Sequence, residues 1–103
     1  MKDLKFGGDT IMYVILMYDI VTDQESPRIS RNIFKICKKY LTHIQKSVFE
    51  GNLTKLQLMK LKSELSNYIR EDIDSVIIFK SRSEKWLEKE FWGIIDDKTS
   101  NFF

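Results

Sequence analysis

The stretch Ile11–Ile20, IMYVILMYDI, decides the fold. It is an almost unbroken apolar run of β-branched, long aliphatic and aromatic residues, with one carboxylate, Asp19, near its far end. The run is too short to span a bilayer, and its composition predicts a strand buried on both faces. A charge at the end of a buried strand needs a cation partner or water. Two readings of Asp19 stay open on local chemistry. It caps the turn that follows the strand, which is the commoner use of a strand-end Asp. Alternatively it ligates a hard divalent cation such as Mg²⁺, which takes oxygen ligands and often needs only one or two protein carboxylates. One Asp per chain suffices for that if a two-fold axis brings two copies together.

The rest of the chain sets the frame around this strand. With 103 residues there is room for one domain and one core. Hydrophobic residues make up 43% and charged residues 31%, a balance that excludes a disordered chain. The lone cysteine, Cys37, excludes an intrachain disulfide and a multi-cysteine zinc site, and fits a reducing, cytoplasmic compartment. The apolar run ends in YDI, not in the small-residue cleavage site of a signal peptide. Residues 1–11 are expected to be a loosely held extension and 12–103 the domain with a C-terminal tail. The net charge of +2 is modest, so any nucleic-acid role must rest on where the charge lies.

After a polar loop, Ser26–Pro27 gives a helix start: a capping serine with proline at the first helical position. From there to Leu41, Ile29, Ile33, Ile36, Cys37 and Tyr40 fall on one side of a helix, and Arg28, Arg31, Lys35, Lys38 and Lys39 on the other. Thr42–Glu50 alternates loosely and reads as a strand closed by Gly51–Asn52. Thr54 and Gln57 form a capping box for a second helix, whose stripe is Leu58, Leu61, Leu65, Tyr68 and Ile69. Ser75–Lys80 reads as a further strand, and Trp86–Trp92 as an edge or irregular one. This order resembles a βαββαβ domain with two helices on one face of a four-stranded sheet. The tally lacks one hairpin strand between the helices, unless Thr42–Glu50 bends into two, and carries a surplus strand at the C-terminus.

The sequence has no P-loop, dinucleotide fingerprint, HExxH or GxSxG motif. The single histidine, His43, reads as structural or solvent-facing, and Cys37 as a small hydrophobe within the core. Between Ser26 and Phe49 stand six Lys or Arg residues and no Asp or Glu. That segregation suits a phosphate backbone, although a merely solvated helix face looks the same. The helix's apolar side is needed for the core, which argues against membrane binding.

Several pieces in this order resemble the small CRISPR-associated adaptation proteins. These are the non-integrase subunits of the spacer-acquisition complex, often described as endoribonucleases. YVILMYDI, Tyr13–Ile20, is similar to the family's first strand ending in Tyr-Asp, and IFKICKKYL, Ile33–Leu41, to its first helix. QKSVFEG, Gln45–Gly51, matches its second-strand motif, and Asp74–Gly93 resembles its later strands. The resemblance implies an α+β, ferredoxin-like fold, a homodimer whose C-terminal segments pack on the partner's sheet, and Asp19 facing its symmetry mate near the axis. There Asp19 would be the metal ligand, for Mg²⁺ or another divalent cation, and the catalytic residue. Tyr18, Ser47 and Phe49 fall on supporting motif positions. Arg31 stands where the family is basic, but Pro27 and the Arg28–Arg31 spacing make that junction unusual.

Two functions follow. One is a dimeric scaffold that binds duplex DNA through Arg28, Arg31, Lys35, Lys38 and Lys39 and bridges CRISPR integrase subunits. The alternative is a Mg²⁺-dependent endonuclease acting on RNA or DNA through paired Asp19, or a toxin-like RNase on the same fold. One carboxylate per chain with no general base beside it is a thin catalytic kit, which favours the scaffold.

Overall fold

The structure, a computed structural model, describes residues 5–6, 9–82, 88, 90, 92 and 93. Its elements are β1 (Lys5–Phe6), β2 (Asp9–Asp19), α1 (Ser26–Tyr40), β3 (Thr42–Gln45), β4 (Val48–Thr54), α2 (Lys55–Leu65) and β5 (Ser75–Ser81). The short β1 pairs with the first residues of β2. The remaining strands form an antiparallel sheet in the order β5-β2-β4-β3. With both helices contributing to one core, this is the ferredoxin-like βαββαβ topology. The expected surplus strand, Trp86–Trp92, lies outside the described residues.

The IMYVILMYDI run is the second strand from one side, flanked by β4 and β5. β2 pairs with β4 from Ile11–Thr54 to Met17–Val48, and with β5 from Tyr13–Ser81 to Asp19–Ser75. Side chains alternate across a strand, so even-numbered residues of β2 point one way. Val14 and Leu16 are fully buried there with Phe49 and Leu53 of β4, Ile29, Ile33, Ile36 and Cys37 of α1, and Leu61 and Leu65 of α2. Tyr68 and Ile69 pack against this core from the turns beyond α2.

The reading of β2 as buried on both faces needs correction. On the face away from the helices Tyr13 is buried, but Ile15 and Met17 are half-buried and Ile11 is 47% exposed. Their β5 neighbours Ile77 and Phe79 are 50% and 51% exposed. Sequence composition registers an apolar residue at each of these positions and cannot tell a covered face from an open one.

Thr42–Glu50 does bend into two strands. A two-residue turn, Lys46–Ser47, joins β3 to β4, with Lys46 in the left-handed region at φ 41°. The pairing shifts by a bulge between His43 and Gln45. The His43 ring sits among Phe34 and Phe49, at centroid distances of 4.8 and 5.0 Å, and its Nε2 donates to the Lys46 carbonyl at 2.8 Å. Gly51–Asn52 does not close a strand but lies inside β4. A Cβ on Gly51 would stand 3.0 Å from Leu41 Cδ2, so glycine lets the strand pass close beneath the end of α1. At the start of α2 the capping box forms as expected, Gln57 N donating to Thr54 Oγ1 at 3.1 Å and Thr54 N to Gln57 Oε1 at 2.8 Å.

Candidate functional site

Asp19 is the last residue of β2, paired across to Ser75 of β5, and is exposed. Its position is odd in the alternation, so it shares the helix-free face with Ile15 and Met17. Its carboxylate has no hydrogen bond or ion pair among the described residues. The reading of Asp19 as a turn cap therefore fails: the turn before α1 is held by Asp23. Asp23 Oδ1 accepts from the N–H groups of Glu25 and Ser26, both at 3.0 Å, while Asp23 N donates to Ser26 Oγ at 3.1 Å. Ser26 is thus the first residue of α1 and not its cap, and Pro27 follows it. The signal was present in the sequence as an Asp three residues before a Ser, a reciprocal capping pattern.

The loop between Asp19 and this turn is held from the far side of the chain. Asp74, just before β5, has a fully buried side chain. Its Oδ1 accepts from Val21 N at 2.9 Å and from Arg70 Nη2 at 3.1 Å; its Oδ2 accepts from Arg70 N at 3.0 Å and Arg70 Nε at 2.8 Å. Arg70 also donates through Nη2 to the Val21 carbonyl at 3.0 Å and through Nη1 to Asp23 Oδ2 at 2.6 Å. The guanidinium beside it, with the two backbone N–H groups, holds the Asp74 carboxyl at about 2, against the opposing effect of burial. Arg70 and Asp74 pair with each other four positions apart, but their contacts with Val21 and Asp23 span 47 to 53 positions, which no local spacing reports.

The supporting residues Tyr18, Ser47 and Phe49 come together, but not beside Asp19. Tyr18 N donates to the Ser47 carbonyl at 3.2 Å, and the Tyr18 and Phe49 rings stack at 6.1 Å. Tyr18 alternates to the helix-covered face, away from Asp19. Burial first, and the nearby Cys37 second, push its phenol up to about 12. Burial likewise pushes the Cys37 thiol up to about 12, which keeps it protonated and inert.

The α1 stripe divides into engaged and open cations. Arg28 pairs with Glu25 at 3.1 Å. Lys39 pairs with Glu64 of α2, whose other oxygen accepts from the Tyr40 hydroxyl. Lys38 lies 5.9 Å from the Phe34 ring centroid. Arg31 and Lys35 are exposed and make no ion pair among the described residues. Arg31, Lys35 and Lys38 recur three to four positions apart and therefore share one side of the helix.

Among the described residues no three His, Cys, Asp or Glu side chains gather where one cation could sit. Asp19 brings a single accessible carboxylate, which fits a hard cation as half of a ligand set. No helix among the described residues is long and apolar enough to cross a membrane.

Comparison with known proteins agrees with this architecture. Residues 12–89 match the family described as CRISPR associated protein Cas2. The chain is 57% identical over 98 residues to the CRISPR-associated endoribonuclease Cas2 of Fusobacterium nucleatum, covering 95% of this chain and 92% of that protein. It is 37% identical to the protein of the same name from Methanosarcina acetivorans, covering 87% and 98% respectively. A crystal structure of a Cas2 protein superposes with a TM-score of 0.73 at 33% identity, over 85% of this chain and 93% of that one. That of Streptococcus pyogenes Cas2 superposes at 0.67 with 26% identity, over 77% and 99%. A sheet of order β5-β2-β4-β3 with both helices on one face, and a match that runs through β2, the β3–β4 hairpin and β5, make this chain a member of the CRISPR-associated Cas2 family.

Proposed function

We propose that the protein is a homodimeric nucleic-acid-binding component of CRISPR spacer acquisition, working in the cytoplasm, that holds duplex DNA and bridges integrase subunits. The observation that carries the reading is the open cationic side of α1, where Arg31, Lys35 and Lys38 stand exposed while the acidic residues nearby are engaged by Arg28 and Lys39. Lys and Arg side chains that neutralise phosphates release counterions, so binding weakens with salt in proportion to the contacts made. Charge reversal at Arg31, Lys35 and Lys38 together is expected to weaken duplex binding and flatten its salt dependence. Unchanged affinity and slope would show the stripe to be a solvated face. Capture of a CRISPR integrase subunit together with duplex DNA, by the full chain and by a chain ending before Asp96, tests the bridging role.

The helix-free face supports the dimer. Ile11, Ile77 and Phe79 are about half exposed there, beside Ile15 and Met17, and an apolar patch of that kind favours a covering surface. A two-fold contact is self-complementary, so one copy of this face suits another. Asp19 ends a strand on the same face, and pairing the faces brings two Asp19 carboxylates into one interface.

A second reading, metal-dependent endoribonuclease activity, rests on that pairing and on the names of the relatives. Two Asp19 carboxylates would hold Mg²⁺ or another divalent cation. When bound, the metal supplies Lewis-acid polarisation of a phosphodiester and an activated water. Asp19 provides the oxygen ligands and the negative charge that retains the cation. Tyr18 alternates to the other face and supports the strand there. Asp19→Ala is expected to abolish Mg²⁺-dependent cleavage of RNA by the purified protein and to leave spacer acquisition intact. Loss of acquisition with dimer and partner binding preserved would overturn the scaffold reading.

A further inference from the structure

We propose that Arg70 and Asp74 are positioning residues for Asp19: together they lock the chain just after β2 and so fix the direction in which the Asp19 carboxylate leaves the sheet. The inference rests on the reading of Asp19 as half of a metal site, and it adds residues that neither the strand motif nor the basic stripe contains.

The Asp19 side chain has no hydrogen-bond partner among the described residues, so none of them orients it directly. Its direction is inherited from the backbone on either side. On one side is the β2–β5 ladder, which ends with the Asp19–Ser75 pair. On the other is Val21, and both polar groups of that peptide position are taken: its N–H by Asp74 and its carbonyl by Arg70. Asp74 immediately precedes Ser75, so the residue that grips Val21 is fixed by the strand that pairs with Asp19. The two restraints meet at Asp74 and Ser75, where β5 begins.

Chemistry explains why this pair suits the task. Asp74 uses both oxygens for two bonds each, with two backbone N–H groups and two guanidinium N–H groups, which fills its ordinary acceptor capacity. Arg70 presents a planar fork, and two of its three remaining guanidinium N–H groups reach Val21 O and Asp23 Oδ2. Asp23 holds the turn that leads into α1, so one guanidinium ties together the end of β2, the start of α1 and the entry to β5. A lysine keeps the charge but not the fork and can satisfy only part of this set. Groups that orient a metal ligand without touching the metal commonly matter for metal affinity.

The test uses the full-length dimer with Arg70→Gln, Arg70→Lys and Asp74→Asn. The first readout is Mn²⁺ binding, followed by the paramagnetic broadening of Asp19 and its neighbours. Arg70→Gln is expected to raise the half-saturating Mn²⁺ concentration about 10- to 100-fold, and Arg70→Lys is expected to recover part of the loss. The second readout is amide exchange. At Val21 it is expected to speed up by about tenfold or more in Asp74→Asn, as one buried hydrogen bond weakens, with the β3–β4 amides unchanged. If Arg70→Gln does not fold, Arg70→Lys carries the same comparison. Folded variants that bind Mn²⁺ as the parent does would overturn the proposal, whatever their exchange at Val21. If Asp19→Ala leaves Mn²⁺ binding as it is, or the parent binds none, the metal reading itself has failed. What is left is the clamp on the chain after β2, which Val21 exchange tests separately, and unchanged exchange there refutes that too.

Discussion

Lys39 of α1 and Glu64 of α2 form an ion pair that joins the two helices, and the Tyr40 hydroxyl donates to the same carboxylate. The hydrogen bond from Lys39, and then that from Tyr40, lowers the Glu64 carboxyl from its ordinary range, and the same contacts raise Lys39 and Tyr40. A cation committed in this way is less free to neutralise a phosphate than its neighbours Lys35 and Lys38.

The consequence is measurable by fluorescence anisotropy with a duplex across a salt series. Lys35→Ala is expected to reduce the slope of log K against log salt by about 0.9, the share of one phosphate contact. Lys39→Ala is expected to change it by less. Glu64→Gln releases Lys39 and is expected to raise affinity at low salt. Equal losses from Lys35→Ala and Lys39→Ala would show that the helix pairing yields to nucleic acid.

Phe49 is the second expectation. It is fully buried, stacks on Tyr18 and meets Phe34 edge-on at 5.4 Å, so β2, α1 and the hairpin all converge on it. Phe49→Ala leaves a cavity as well as losing burial, and should cost about 3–5 kcal/mol. For a domain of this size that is more than ~12 °C in Tm. A change of less than about 1 kcal/mol in a urea titration would mean that the neighbouring rings collapse into the space.

These two cases show what the sequence made legible. The α1 stripe and the capping box are local periodicities, readable from spacing within one element. IMYVILMYDI is readable as a strand because so apolar a run has few alternatives at that length. Its open face is not readable, because Ile11, Ile15 and Met17 are apolar whether solvent or another chain covers them. The hairpin turn hides because Lys46–Ser47 carries no Gly or Asn, while Gly51–Asn52, which resembles a turn, serves the approach of β4 to Leu41. Arg70 and Asp74 reach Val21 and Asp23 across 47 to 53 positions, and no single-element pattern reports such a contact. The sequence therefore exposed Asp19 and left unseen what holds it.

The open face gives the third expectation. Phe79 is half exposed and pairs with Ile15 across the sheet, so replacing it has little to disturb within one chain. In a dimer packed through this face, Phe79→Glu places an unpaired charge in an apolar contact. The dimer dissociation constant is expected to rise by at least about 100-fold, since burying an unpaired charge costs several kcal/mol. Sedimentation should then show a folded monomer, and circular dichroism an unchanged spectrum. A dimer that persists at low micromolar concentration would place the interface elsewhere.

Acid should test the Asp74 clamp directly. In the folded chain its carboxyl titrates at about 2, held down first by the Arg70 side chain and further by the N–H groups of Val21 and Arg70, against an ordinary value of 3.8. Below 3.8 the unfolded chain takes up the proton while the folded chain still refuses it. The unfolded state then binds more protons, so stability falls as pH falls. This contribution is fully present above about pH 5 and is lost progressively down to the folded value. Urea midpoints measured from pH 6 to pH 2 should therefore fall for the parent protein. Asp74→Asn, already weaker at pH 6 because its amide does not match the charged fork of Arg70, should show a shallower fall, and the two curves should approach one another near pH 2. Parallel curves would mean that the acid sensitivity arises at other carboxylates and that the Arg70–Asp74 pair is not what ties the loop after Asp19 to β5.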